Sequence, residues 1–263
     1  MLYRVLAAAS AVLCSASLAL AEWPVGDMNR QIDQTNVYVN DGCSGTLIDI
    51  ENRFVLTASH CVDAQYKTVI REEVAADGTV TKKEVRIMVP GHVRMPVFDG
   101  AHQIGETIYN TTLVSVDRGR DLALVQIIIK DIPNTQFSPI ACLNPVRGET
   151  AYVVGNPFGA LFATVGVGIV SSVARDYQTL GWVDGVDKRG TESLMQISAG
   201  VIGGNSGGAV YNVRGELIGV PVVAANGYET IGFAVSLEDI KEFLKGTPAK
   251  SLLDRCSQEP GRA

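Results

Sequence analysis

Residues 203–223 read Gly203-Gly204-Asn205-Ser206-Gly207-Gly208-Ala209-Val210-Tyr211-Asn212-Val213-Arg214-Gly215-Glu216-Leu217-Ile218-Gly219-Val220-Pro221-Val222-Val223. The apolar runs Ala209 to Tyr211 and Glu216 to Val223 are short and set off by Asn212 and Gly215, the pattern of β-strands joined by a turn. The same pattern continues on both sides. Ile231 to Val235 follows it, and Thr150 to Val154, Ala163 to Val173 and Leu194 to Ile197 precede it. A further series stands before Pro133: Val37-Tyr38-Val39, Gly45 to Ile50, Arg53 to Thr57, Val85 to Val89, Thr111 to Val116 and Leu122 to Ile129. Many short strands between turn residues predict an all-β sandwich or barrel.

Asp131 to Pro145, with Pro133, Pro139 and Pro145, is the best linker between two β halves. The expected organisation is residues 22–132, a linker at 133–147, residues 148–236, and a helix and tail at 237–263. No long amphipathic helix is expected before Leu237 to Lys245, where Leu237, Ile240 and Leu244 recur at helical spacing. Glu238 and Asp239 suit the positive end of that helix. Arg71 to Lys83, turning at Asp77-Gly78, reads as a solvated hairpin, and the irregular stretch His92 to Gln103 as a loop.

The 263-residue chain opens with Arg4 and an apolar, alanine-rich run closing on Ala19-Leu20-Ala21. This predicts an export signal over residues 1–21, because a membrane span needs about 20 strongly apolar residues. Leu13 ahead of Cys14 argues against lipid attachment. The 242 residues left suit one large all-β domain or two small ones, secreted or periplasmic, with no stable membrane insertion. Loss of Arg4 takes the formal net charge from −6 to −7. With no Lys/Arg cluster, nucleic acid and anionic membranes are poor partners. Oligomeric state is not legible. Of five cysteines, Cys43, Cys61, Cys142 and Cys256 remain, which suggests two disulfides, with unpaired buried thiols as the alternative. No pair has close zinc-ligand spacing, so no metal is expected.

Serine needs a neighbouring histidine to take its proton and a carboxylate to orient that histidine. The chain has three histidines, His60, His92 and His102. Only His60, in Thr57-Ala58-Ser59-His60-Cys61, directly follows an apolar run, Phe54-Val55-Leu56, that would hold it rigidly. Asp121 opens the run Asp121-Leu122-Ala123-Leu124-Val125. Glycines on both sides of Ser206 let the backbone turn sharply and bring the Gly204 and Ser206 N–H groups to a substrate carbonyl as an oxyanion hole. Asn110-Thr111-Thr112 is a formal glycosylation acceptor. Gly155, Gly166 and Gly168 precede no helix and read as barrel-corner glycines instead of a phosphate loop.

The segments around His60, Asp121 and Ser206 resemble, in that order, those of trypsin-like serine peptidases. Within that superfamily the chain is most similar to the HtrA/DegP type. Gly155-Asn156-Pro157-Phe158-Gly159, Gly168-Ile169-Val170-Ser171, Gly204 to Val210, Gly215 to Gly219 and Ile231 to Val235 match in order, over roughly Asn36 to Leu244. The resemblance implies a chymotrypsin-like fold of two perpendicular six-stranded antiparallel β-barrels. His60 and Asp121 would come from the first barrel and Ser206 from the second. It implies a serine endopeptidase acting on proteins or peptides with no cofactor. It also implies disulfides Cys43–Cys61 and Cys142–Cys256, and a substrate pocket with its floor near Gly200 and walls from Val220 to Ala224, including Val222, and around Gly232.

The chain departs from the family in informative ways. Asn205 replaces the aspartate that pairs with a newly cut N-terminus in digestive relatives, so activation is expected through ordering of the loops near Gly203 and Gly181 to Gly190. Only 18 residues follow Lys245, so the C-terminal PDZ domain usual in HtrA proteins is not expected in this chain. The interval from His60 to Asp121 is long for that type, which makes Arg71 to Gln103 a candidate specificity or partner-binding insertion. No acidic residue lies at the pocket floor and no histidine follows Ser206, so cleavage after a small or medium apolar residue is expected. An idle protease-fold binding module and an esterase are the other readings.

Overall fold

A computed structural model describes residues 23–63, 66–74, 76–88, 90–100, 102–176, 193–224 and 230–257. The expected export signal and the loop Gly181 to Gly190 lie outside them. The chain begins with α1 (Val25–Thr35), then β1 (Asn36–Val39), β2 (Cys43–Asp49), β3 (Phe54–Thr57), β4 (Tyr66–Val74), β5 (Val80–Met88), β6 (His92–Asp99), β7 (His102–Asp117) and β8 (Leu122–Ile127). After an irregular segment come β9 (Thr150–Gly155), β10 (Thr164–Asp176), β11 (Ser193–Ile197), β12 (Ala209–Tyr211), β13 (Leu217–Ala224), β14 (Gly232–Ser236) and α2 (Leu237–Lys245). A 3-10 stretch, Pro248–Ser257, follows.

Two closed six-stranded antiparallel barrels result, ordered β1-β2-β3-β8-β7-β6 and β10-β11-β14-β13-β12-β9, as the resemblance implies. The short valine-rich runs make this possible, because branched side chains pack well on a pleated surface. Val37, Leu47, Val55, Leu56 and Leu124 of the first barrel, and Val153, Ile197, Val210, Ile218 and Phe233 of the second, are all at most 1% exposed, and since neighbours such as Val55 and Leu56 point to opposite faces of their strand, both faces of the sheet are covered. β4 and β5 form a separate two-stranded sheet.

The structure corrects two expectations. His92 to Gln103 is not a loop: β6 and the start of β7 pair from His92↔Asn110 to Asp99↔His102. The polar residues and Pro96 conceal an alternation in which Val93 and Met95 point inward. Pro96 is tolerated because β1 pairs with β6 only at Arg94 and Val93, leaving that edge of β6 open. The second correction is α1, which the sequence reading lacks. Its face is mostly polar, and its order comes from docking: Ile32 and Thr35 are buried, and Gln31 Nε2 donates to Gly215 O at 2.8 Å. Trp23, just before it, packs edge-on against Tyr211 and Tyr152 with centroids 5.2 and 6.1 Å apart. Thus α1 precedes the first barrel but grips the second.

The proline-containing segment between the barrels carries no regular element, and it stitches them together. Ser138 N donates to Leu47 O (2.9 Å) and Leu217 N to Pro139 O (2.7 Å).

Candidate active site

His60 and Asp121 meet at the rim of the first barrel. β3 ends at Thr57, whose Oγ1 donates to Ser44 O at 2.7 Å. The chain then turns through a 3-10 segment, Ser59–Cys61, pinned by a disulfide from Cys61 to Cys43 on β2 with an S–S distance of 2.07 Å. His60 Nδ1 lies 2.7 Å from Asp121 Oδ2. The His60 backbone N–H (3.0 Å) and Ser59 Oγ (2.7 Å) both donate to Asp121 Oδ1. Burial alone would push the Asp121 carboxyl up. The His60 hydrogen bond and charge, with the Ser59 and backbone hydrogen bonds, outweigh it and hold the group below its ordinary value. An ionised carboxylate only accepts, so Nδ1 carries the proton and Nε2 is left as the base. His60 keeps 44% side-chain exposure, enough for a substrate to reach it.

Ser206 sits between β11 and β12 of the second barrel, in a turn that only glycine permits at two positions. Gly204 has φ +100°, and a Cβ there would stand 2.3 Å from Asn156 O. Gly207 has φ +82°, and its Cβ would meet Thr57 Oγ1 at 2.2 Å and Ser44 O at 2.4 Å. The turn is therefore pressed directly onto the first barrel. Ser44 N donates to Ser206 O at 2.9 Å. Cys61 Sγ is 3.6 Å from the same carbonyl, a packing contact because the disulfide leaves it no hydrogen. Ser206 Oγ donates to Val222 O at 3.5 Å, the outer limit of a hydrogen bond. Among the described residues His60 and Ser206 form no hydrogen bond.

Within the turn, Asn205, Gly207 and Gly208 donate their N–H groups to Ile202 O, Pro221 O and Asn205 O. Among the described residues the N–H groups of Gly204 and Ser206 have no acceptor. The 203–204 peptide is held through Gly203 O, which accepts from Phe158 N at 2.7 Å, and the next peptide through Gly204 O, which accepts from Ser44 Oγ at 2.7 Å. Two donors so fixed can meet an oxygen that gains negative charge.

A family model described as the trypsin-like peptidase domain matches residues 43–220, from the first disulfide cysteine to the middle of β13. The chain belongs to this family. It is 30% identical over 190 residues to a DegP-like periplasmic serine endoprotease of Chlamydia pneumoniae, covering 70% of this chain and 36% of that protein. The corresponding protein of Chlamydia trachomatis is 32% identical over 192 residues, covering 70% and 35%. Periplasmic serine endoprotease DegP of Escherichia coli K12 is 30% identical over 202 residues, covering 75% and 34%. The chain thus spans about a third of the length of these curated relatives. Their names carry a periplasmic location, which supports a secreted or periplasmic place for this trypsin-like chain.

Two positioning residues of this trypsin-like domain escaped the sequence reading. Ser44 accepts from Asn156 N at 2.7 Å while it donates to Gly204 O. Asn156, fully buried, donates through Nδ2 to Val37 O at 2.9 Å, and its Oδ1 accepts from Asn36 Nδ2 (2.6 Å) and Ala163 N (3.0 Å). Together they join β1 and β2 to the turn that holds Phe158. Asn156 had a signal, its place inside Gly155-Asn156-Pro157-Phe158-Gly159, whereas nothing marked Ser44. Asn205 is buried, with Oδ1 unpartnered among the described residues.

The expected pocket residues are not all assembled alike. Val222, 8% exposed, turns its carbonyl to Ser206. Gly232 backs onto Val201, whose Cγ2 a Cβ would meet at 2.5 Å. Gly200 is exposed, whereas Val201, next to it, is 5% exposed. Cys142 and Cys256 are bonded with an S–S distance of 2.18 Å, beside α2, where Lys241 Nζ donates to Cys142 O at 2.6 Å.

Proposed function

We propose that the protein is a serine endopeptidase exported by residues 1–21, with His60, Asp121 and Ser206 as its catalytic triad. The observation that carries this reading is the 2.7 Å hydrogen bond from His60 Nδ1 to Asp121 Oδ2, on the barrel against which the Ser206 turn is pressed. His60 Nε2 takes the proton of Ser206 Oγ, which attacks the peptide carbonyl carbon. The N–H groups of Gly204 and Ser206 hold the oxyanion, a contribution of roughly 2.7–4 kcal/mol per donor in comparable sites. The imidazolium, stabilised by Asp121, then passes its proton to the leaving amine. Water, deprotonated by the same Nε2, cleaves the acyl-enzyme and restores Ser206.

A fluorophosphonate probe should acylate the wild type and leave Ser206→Ala unlabelled; equal labelling of both would refute the assignment. Val201 and Val222, with no acid at Gly200, support cleavage after Val, Ala or Leu. Peptide-library profiling that returned Lys, Arg or Glu at that place would overturn this preference. The missing hydrogen bond between His60 and Ser206 favours a second reading, an idle binding module of the same fold. Catalytic hydrogen bonds often tighten only on substrate binding, so a wild type that failed to label and to cleave any library member would be needed to establish it.

A further inference from the structure

We propose that Arg94, anchored by Glu106, is a positioning residue for the oxyanion hole: it clamps the β9–β10 loop of the second barrel in the conformation that holds the Gly204 N–H toward the substrate. The inference rests on the serine endopeptidase reading above and adds to it a residue of the first barrel that touches no reacting atom.

The loop from Asn156 to Ala163 is strained. Phe158 and Ala163 stand in the left-handed region, at φ +59° and +50°, a conformation that costs free energy for a residue with a Cβ and persists only where the surroundings impose it. Side-chain packing does not impose it at Phe158, which is 73% exposed. Hydrogen bonds do. Ala163 N donates to Asn156 Oδ1 at 3.0 Å. Two residues of the first barrel, paired across β1 and β6 as Tyr38↔Arg94, take the carbonyls between: Arg94 Nη2 donates to Gly159 O at 3.1 Å and the Tyr38 hydroxyl to Ala160 O at 3.2 Å. The amide of strained Phe158 donates to Gly203 O, the carbonyl of the peptide whose N–H is that of Gly204. A loop that relaxed at Phe158 would withdraw this donor and free the 203–204 peptide to turn its N–H away.

The surroundings of Arg94 fit that task. Its side chain is 18% exposed, Nη1 donates to Glu106 Oε2 at 2.6 Å, and the guanidinium carbon lies 4.1 Å from the centroid of the Tyr38 ring. Nε is buried with no partner among the described residues. A buried donor left unpaired is a cost, and here it accompanies a planar fork that reaches a carboxylate and a carbonyl at once, which an ammonium does not reproduce.

Fluorophosphonate labelling at saturating probe tests this, because the P=O oxygen of the probe occupies the oxyanion hole. In Arg94→Gln the labelling rate should fall roughly tenfold or more, toward the roughly 100- to 1,000-fold loss that removal of a whole donor causes. The final amount labelled and the probe concentration at half-saturation should stay at wild-type values. A role confined to holding the fold would instead lower the final amount and leave the rate. Arg94→Lys keeps the charge beside Tyr38 but reaches one acceptor at a time, and should recover part of the rate. Glu106→Lys sets a cation against the guanidinium from a position 29% exposed, and should slow labelling even where Arg94→Gln fails to fold. A wild-type rate in folded Arg94→Gln or in Glu106→Lys, or a loss of amount alone, overturns the proposal and leaves the triad standing. A wild type that never labels removes the triad and this proposal together.

Discussion

Asp121 stands in the left-handed region (φ +54°) at the entry to β8, and three donors converge on its carboxylate. A carboxyl held below its ordinary value contributes stability that is present above the unfolded-state value of about 3.9 and lost as pH falls through the lowered one. Ser59→Ala removes one of the donors and should move the acid-unfolding midpoint to higher pH, as read by circular dichroism. An unchanged midpoint would show that the Ser59 hydroxyl does not hold the charge. Gly207 is the other decisive residue. A left-handed alanine costs about 1–2 kcal/mol before any clash, and here its Cβ would strike Thr57 Oγ1 and Ser44 O. Gly207→Ala should lower the unfolding free energy, read from urea titration, by at least ~2 kcal/mol and slow fluorophosphonate labelling of Ser206. Wild-type stability and labelling rate would contradict the close approach of the two barrels at this point.

Among the elements, α2 was fully legible because its signals are local. Its apolar spacing is helical, and Ser236 caps it, accepting from Asp239 N at 3.2 Å and donating to Asp239 Oδ2 at 2.9 Å. Ser236→Ala should cost ~1 kcal/mol, the usual loss at an N-cap, visible as a lower midpoint with fluorophosphonate labelling unchanged. A shift below a few tenths would indicate that packing of Leu237, Ile240 and Leu244 carries the helix without its cap. α1 and β6 lacked such signals. The order of α1 depends on Tyr152, Tyr211 and Gly215, far along the chain, and β6 gains its partner from β7 while a proline and charged residues mask its two-residue period. A 16-residue β7 was likewise legible only over Thr111 to Val116, its apolar stretch.

For the whole molecule, buried polar groups help to join the two barrels. Ser44 Oγ lies between Asn156 N and Gly204 O, and Ser44 is fully buried. Ser44→Ala leaves both groups short of a partner, a loss of about 1–3 kcal/mol per unsatisfied buried group. Ser44→Ala should therefore reduce stability and also slow acylation, because the Gly204 N–H is one of the two proposed oxyanion donors. A variant with wild-type acylation kinetics would mean that the bond from Phe158 N to Gly203 O is enough to hold the Gly204 N–H without Ser44.

What the sequence by itself determined is of short range: strand runs between turn residues, the α2 spacing, the glycines around Ser206, and the side chains able to take or give a proton. Those follow from residue type and period, which act within a few positions along the chain. Tertiary structure decided which groups meet. Ser44 reaches Gly204 across 160 residues and Asn156 across 112, and α1 settles on the barrel it does not precede. Hydrogen bonds between such distant groups depend on barrel closure and on burial that excludes water, and no local pattern in the chain encodes either.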